Sequence, residues 1–136
     1  MQEKWSIRLI RFAAVFGLFG AYLGSHMAGT GSYAFRPIHA HILVVGWLSV
    51  FSWGVFYKLF EVKYPKLVHV HGWSAILGAI GLTVGMWLQM MQPFGLPETF
   101  SLVFYIVGGT TLLISFALFV AVTFSIQPEK KVVENS

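Results

Sequence analysis

The residues of this chain best suited to chemistry are five histidines, four of which form two His-x-His pairs. His39 and His41 make the first pair, His69 and His71 make the second, and His26 stands alone. Two positions along a helix correspond to about 200° of rotation, so the two rings of each pair point to opposite faces. Each pair therefore predicts one ligand for each of two sites, and not a clamp on a single ion.

The surroundings of the first pair favour haem over a bare metal ion. Zinc and copper sites need three or four convergent ligands, which a diverging pair does not supply. Haem needs one histidine on a face with aromatic walls, which Trp47, Phe51 and Trp53 offer here. Arg36 is a candidate donor to the haem propionates. Because the chain has no cysteine, the sequence predicts non-covalently bound haem b, with copper not expected.

The composition is typical of an integral membrane protein. Of the 136 residues, 57% are hydrophobic and only 10% are charged, whereas soluble domains carry about 25% charged residues. Four apolar stretches, at 7–28, 37–60, 67–91 and 99–126, each exceed the ~20 residues that cross a bilayer. The sequence therefore predicts one membrane domain over residues 1–136, an all-α bundle of four transmembrane helices embedded in lipid.

The distribution of basic residues predicts the orientation of the bundle. With four spans, the basic residues share one side except for Arg36. Those of the shared side are Lys4, Arg8, Arg11, Lys58, Lys63, Lys66, Lys130 and Lys131. The positive-inside rule then places both termini in the cytoplasm, in the inner membrane of a prokaryote. The net charge of +4 reflects this bias and does not indicate nucleic-acid binding.

The predicted topology divides the histidines between the two sides. His26, His39 and His41 lie at the outer side, where we expect them to converge because a short turn joins helices 1 and 2. His69 and His71 begin helix 3 at the cytoplasmic side, about one membrane thickness away. These two are candidates for a second site or ordinary interfacial residues. Two further features, the glycines at 17, 20 and 24 and the histidine-free helix 4, are interpreted as serving helix packing.

The segment Ile38–Gly46, which contains the first histidine pair, resembles the tenth helix of haem-copper oxidase subunit I, a family that includes the nitric-oxide reductases. The similarity continues at Phe51, Phe56, Tyr57 and the exit Tyr64-Pro65-Lys66, and Val68–Trp73 is similar to the start of the family's next helix. In that family the first histidine of the pair binds the high-spin haem and the second binds the low-spin haem. The resemblance implies these roles for His39 and His41, whereas His26 has no matched position.

The chain departs from this family in its length and in its site. It is too short for twelve helices, and it lacks the copper-binding histidine cluster and the His–Tyr cross-link motif. The family's twelve helices form three arcs of four helices, which implies that three copies of this chain match that number. We therefore expect a homo-oligomer, a trimer in preference to a dimer.

Three functions stay open from the sequence. The first is electron transfer through a haem with two axial histidines, His26 with His41 or with His39 instead, and with quinol or a periplasmic cytochrome as redox partner. The second is a haem-dependent oxidoreductase or sensor that acts on oxygen, nitric oxide or superoxide, with His39 as the single ligand of an open haem. The third is a structural or assembly subunit without redox chemistry.

Overall fold

The computed structural model describes residues 1–127, which form four helices. They are α1 (Gln2–Thr30), α2 (Arg36–Leu59), α3 (Pro65–Met91) and α4 (Glu98–Thr123), and each is long and apolar enough to cross a membrane. The prediction of four apolar helices is thus confirmed. Lys130 and Lys131, two of the basic residues used to predict orientation, lie outside the described residues.

The first helix begins five residues earlier than the sequence predicts, because its polar start is bonded to the end of α2. The side-chain amide of Gln2 donates to the carbonyl oxygen of Tyr57 at 2.8 Å and accepts from the backbone N–H of Val62 at 3.0 Å. Lys58 forms an ion pair with Glu3 at 2.7 Å. Helix α1 therefore holds the segment that joins α2 to α3.

The fourth helix ends at Thr123, three residues before the predicted limit. The chain turns there, and Ile126 pairs with Val62 in an isolated antiparallel bridge. Two backbone hydrogen bonds of 2.8 Å, from Lys63 to Ser125 and from Gln127 to Glu61, fasten this contact. The end of α4 and the α2–α3 segment thus lie side by side at the end of the bundle that holds Gln2, called here the N-terminal end.

The middle of α2 departs from regular α geometry, which the apolar pattern does not predict. Residues Ile42–Ser49 form π-helical turns, between an α-helical start at Arg36–His41 and an α-helical end at Val50–Leu59. The Ser49 hydroxyl donates to the carbonyl oxygen of Val44, five residues earlier, at 2.9 Å. Such wide turns often mark functional segments, and this one directly follows His39 and His41.

The helices pack as two hairpins, α1 with α2 and α3 with α4. The α3–α4 contact is the closest, because small residues let the two backbones approach. A Cβ added at Gly81 would lie only 2.9 Å from the Cα of Gly108. Gly78 and Gly85 make similar backbone contacts with Leu112 and Tyr105.

The larger of two buried clusters lies towards the N-terminal end, where all four helices contribute side chains. Its fully or nearly fully buried members are Trp5, Leu9, Ala13, Val50, Trp53, Tyr57, Val68, Ala75 and Val122. At the opposite end, called here the far end, an apolar cleft of about 370 Å³ opens between α1, α2 and α3, with Phe19, Ile38 and Trp87 among its walls. This cleft lies at the end of the bundle that carries the first histidine pair.

Candidate cofactor site

His39 lies on the α-helical start of α2 and packs against α1. Its Nδ1 is 2.8 Å from the carbonyl oxygen of Gly20. The ring lies over Gly24, where an added Cβ would be 2.9 Å from the ring carbon Cε1. The two glycines interpreted as packing residues thus also seat and orient a half-buried imidazole.

His41 lies on the other side of the same helical turn. Its Nδ1 is 2.8 Å from the carbonyl oxygen of Pro37, four residues earlier in its own helix. The ring is half-buried. Because Arg36–His41 is α-helical, His41 is about 200° around the helix from His39. The divergence of the two rings expected from their spacing is therefore present.

The hydrogen bonds of His39 and His41 determine which ring nitrogen is free. A carbonyl oxygen only accepts, so in each ring Nδ1 carries the proton and donates it. The neutral ring then has its lone pair on Nε2. No hydrogen bond among residues 1–127 uses either Nε2 atom. Histidines that bind metals are commonly held this way, with the second ring N–H donated to a carbonyl.

His26 does not join these two histidines. It is exposed on α1, with its ring 6.4 Å from the ring of Tyr22 and 6.4 Å from that of Phe35. Position 26 is about 200° around α1 from Gly24, on which His39 rests. Residues 1–127 contain no group of three or more His or acidic side chains placed to hold one metal ion. The expected convergence of three histidines is therefore not seen within one copy of the described chain.

Arg36 and Trp47, the other two residues predicted to contact a cofactor, flank the histidine pair. The exposed guanidinium of Arg36 lies 4.6 Å above the ring of Tyr33.

Trp47 packs against α1, where a Cβ on Gly17 would be 3.1 Å from its ring. Trp47 and Leu43 line an open groove of about 380 Å³ with small residues of α1. Residues 39, 43 and 47 follow one helix face in sequence, so we place His39 beside this groove.

His69 has the opposite ring-nitrogen arrangement. The indole N–H of Trp5 donates to His69 Nδ1 at 3.3 Å, and the two rings meet edge to face. Since indole only donates, the proton of the neutral His69 ring lies on Nε2. In this state neither nitrogen of the exposed His69 has a free lone pair.

His71 is completely buried. The sequence analysis, which allowed it to be an ordinary interfacial residue, does not anticipate this. Its Nδ1 is 2.7 Å from the hydroxyl of Tyr57, and the rings of Trp53 and Phe119 enclose it. Its Nε2 is buried without a partner among the described residues. His69 and His71 thus have separate surroundings, and their joint role as a second site stays a prediction.

No family model, curated protein or solved structure matches this chain. What the chain can do is therefore inferred from its own side chains. At the far end, α2 presents two imidazoles whose Nε2 atoms take part in no hydrogen bond of the described residues, and His39 rests on Gly20 and Gly24 of α1. Trp53, predicted as an aromatic wall of this site, packs against His71 instead. This donor set suits a planar cofactor whose metal ion needs one or two axial nitrogens, and it does not suit an ion that needs four ligands from one copy.

Proposed function

We propose that this chain is an integral membrane protein that binds haem b through His39 and His41 and transfers electrons. The observation that carries the proposal is the matched pair of Nδ1–H donations to the carbonyl oxygens of Gly20 and Pro37. They fix both rings and leave each Nε2 as an available ligand. The resemblance of Ile38–Gly46 to a haem-binding helix supports the same assignment.

The proposed role follows from what the side chains can hold. When bound through histidine nitrogens, haem would supply one-electron redox chemistry. His39 and His41 would each offer an Nε2 atom to a haem iron, and Arg36, one turn earlier on α2, would pair with propionates. Trp47 and the small residues of α1 would exclude water. We propose that the four apolar helices lie in the inner membrane of a prokaryote with both termini in the cytoplasm, as their basic residues indicate.

The test is an absorption spectrum of the purified protein in detergent, oxidised and dithionite-reduced, before and after carbon monoxide. We expect sharp reduced bands that carbon monoxide does not change, because both axial positions are filled. His39→Ala and His41→Ala should each lose haem or become sensitive to carbon monoxide. His69→Ala is the matched control and should keep the parent spectrum.

Two results would change the proposal. A protein without haem after expression with ample haem, or two alanine variants that retain the parent spectrum, would overturn it. A parent spectrum that shifts with carbon monoxide would replace electron transfer with the alternative of an open-haem enzyme or sensor.

A further inference from the structure

The two candidate ligands of α2 cannot serve the same iron. His39 rests on α1, and His41 faces about 200° away around the helix axis. Each ring has a free Nε2 that finds no hydrogen-bond partner among residues 1–127. His41 lies about 8 Å along the helix from Arg36, at 1.5 Å per residue, which places it within the apolar span.

No other histidine of the same copy is positioned to complete either site. His26 lies about 200° around α1 from the seat of His39. His69 and His71 belong to the N-terminal end, where Trp5 and Tyr57 are their partners. An iron with two axial histidines therefore needs one of them from outside the chain.

We infer that the haem iron is bound between two copies of this chain, with His39 of one copy and the partner's His41 as its axial ligands. The inference rests on the proposed haem function. Each copy has the Nε2 of His39 on one side of α2 and the Nε2 of His41 on the other. A contact that joins one of each therefore uses two different surfaces of the chain. A contact between different faces is head-to-tail, and it closes into a ring when the rotation permits. A closed ring has as many contacts as copies, which gives one haem per chain.

The architecture of the chain agrees with such an interface. The face of His39 includes the open groove along Leu43 and Trp47, and the described chain leaves it uncovered. The larger buried cluster lies towards the opposite end of the bundle, so docking at the far end would not require that cluster to open. The proposed partner is a second copy of this chain. The second axial ligand must be another histidine, and every copy carries one, His41, on the side of α2 opposite to His39.

The experiment is a complementation between two variants that each lack one ligand. His39→Ala and His41→Ala chains with different affinity tags are produced together, and assemblies that carry both tags are isolated by two successive affinity steps. Their haem content, carbon monoxide sensitivity and mass in detergent are then measured. In any mixed ring of three, one contact joins an intact His39 to an intact His41. We expect one carbon monoxide-insensitive haem per mixed ring and none in rings of either variant alone.

The matched control is a mixture of His39→Ala with the double variant His39→Ala/His41→Ala, in which no contact has His39. This mixture should contain no carbon monoxide-insensitive haem. His39→Asn replaces His39→Ala if the latter fails to fold, because the asparagine amide can still donate towards Gly20 while providing no imidazole.

The outcomes separate this inference from the proposed function. Mixed assemblies without an insensitive haem, or a parent protein that is a haem-loaded monomer, would overturn the shared site and leave haem binding intact. A His39→Ala protein with an unchanged spectrum would also overturn it, because the iron would then lie between two His41 rings. A parent protein that binds no haem would overturn the proposed function and this inference with it.

Discussion

At the residue scale, the hydrogen bonds of the histidines distinguish their chemistry. His39 and His41 donate from Nδ1 to carbonyl oxygens, His69 accepts at Nδ1 from Trp5, and His71 is paired with Tyr57. Only the first arrangement leaves a free Nε2 lone pair on a neutral ring that is not fully buried. Two His-x-His motifs that look equivalent in the sequence thus make different hydrogen bonds in the fold.

The Tyr57–His71 hydrogen bond predicts a stability effect. Both side chains are buried, and the bond between the hydroxyl and Nδ1 is 2.7 Å long. Tyr57→Phe leaves Nδ1 without a partner, so we expect the free energy of unfolding in detergent to fall by about 1–3 kcal/mol. Tyr64→Phe is the matched control, since Tyr64 is 52% exposed, and surface changes of this kind stay within about 0.5 kcal/mol. Equal stability of the two variants would show that the buried bond contributes nothing.

Part of this residue-scale picture could be predicted from the sequence. The ligand candidates on α2 and their divergence follow from spacing alone. The burial of His71 does not follow from spacing, because Val70, Trp73 and Leu77 of the same helix are apolar at similar spacing and are exposed. The choice of ring nitrogen does not follow from spacing either, since it depends on the carbonyl oxygens and the indole that lie nearby in the fold.

At the element scale, glycines determine how closely helices approach. The sequence interpretation of helix α4 as a packing helix fits its contact with α3, but α4 also supplies Phe119 to the enclosure of His71. The π-helical turns of α2 could not be predicted. The segment Ile42–Ser49 is almost entirely apolar, so its residue pattern does not distinguish α-helical from π-helical turns. The observed helix ends differ from the predicted ends by up to five residues where polar groups, such as Gln2, bond to another element.

The α3–α4 contact predicts a difference between two adjacent glycines. A Cβ at Gly108 would lie 2.5 Å from the backbone nitrogen of Leu82, whereas one at Gly109 would meet only the Leu82 side chain, at 3.6 Å. Gly108→Ala must therefore push the helices apart, and we expect a loss of about 1–3 kcal/mol in the free energy of unfolding. Gly109→Ala should be neutral or stabilising by up to about 1 kcal/mol, because alanine favours helix. Unfolding by denaturing detergent measures both, and a reversed order would contradict this packing.

At the scale of the whole molecule, the two ends of the bundle differ in construction. The N-terminal end has the larger buried cluster, the Gln2 hydrogen bonds and the pairing of Val62 with Ile126. The far end has an apolar cleft and a groove beside the first histidine pair. The two ends therefore differ in their polar ties and buried apolar packing, whereas open grooves occur at both.

The proposed placement of these ends on opposite sides of a membrane gives the last prediction. The chain has no cysteine, so a single introduced thiol reports its own side. We expect Ser32→Cys, in the exposed turn after α1, to react with a membrane-impermeant maleimide in intact prokaryotic cells, because the proposed orientation places the far end outside the cytoplasm. Glu61→Cys, in the exposed segment before α3, should react only after the cells are permeabilised. The reverse pattern would place both termini outside, and labelling of both positions in intact cells would contradict a bundle that separates them by a membrane.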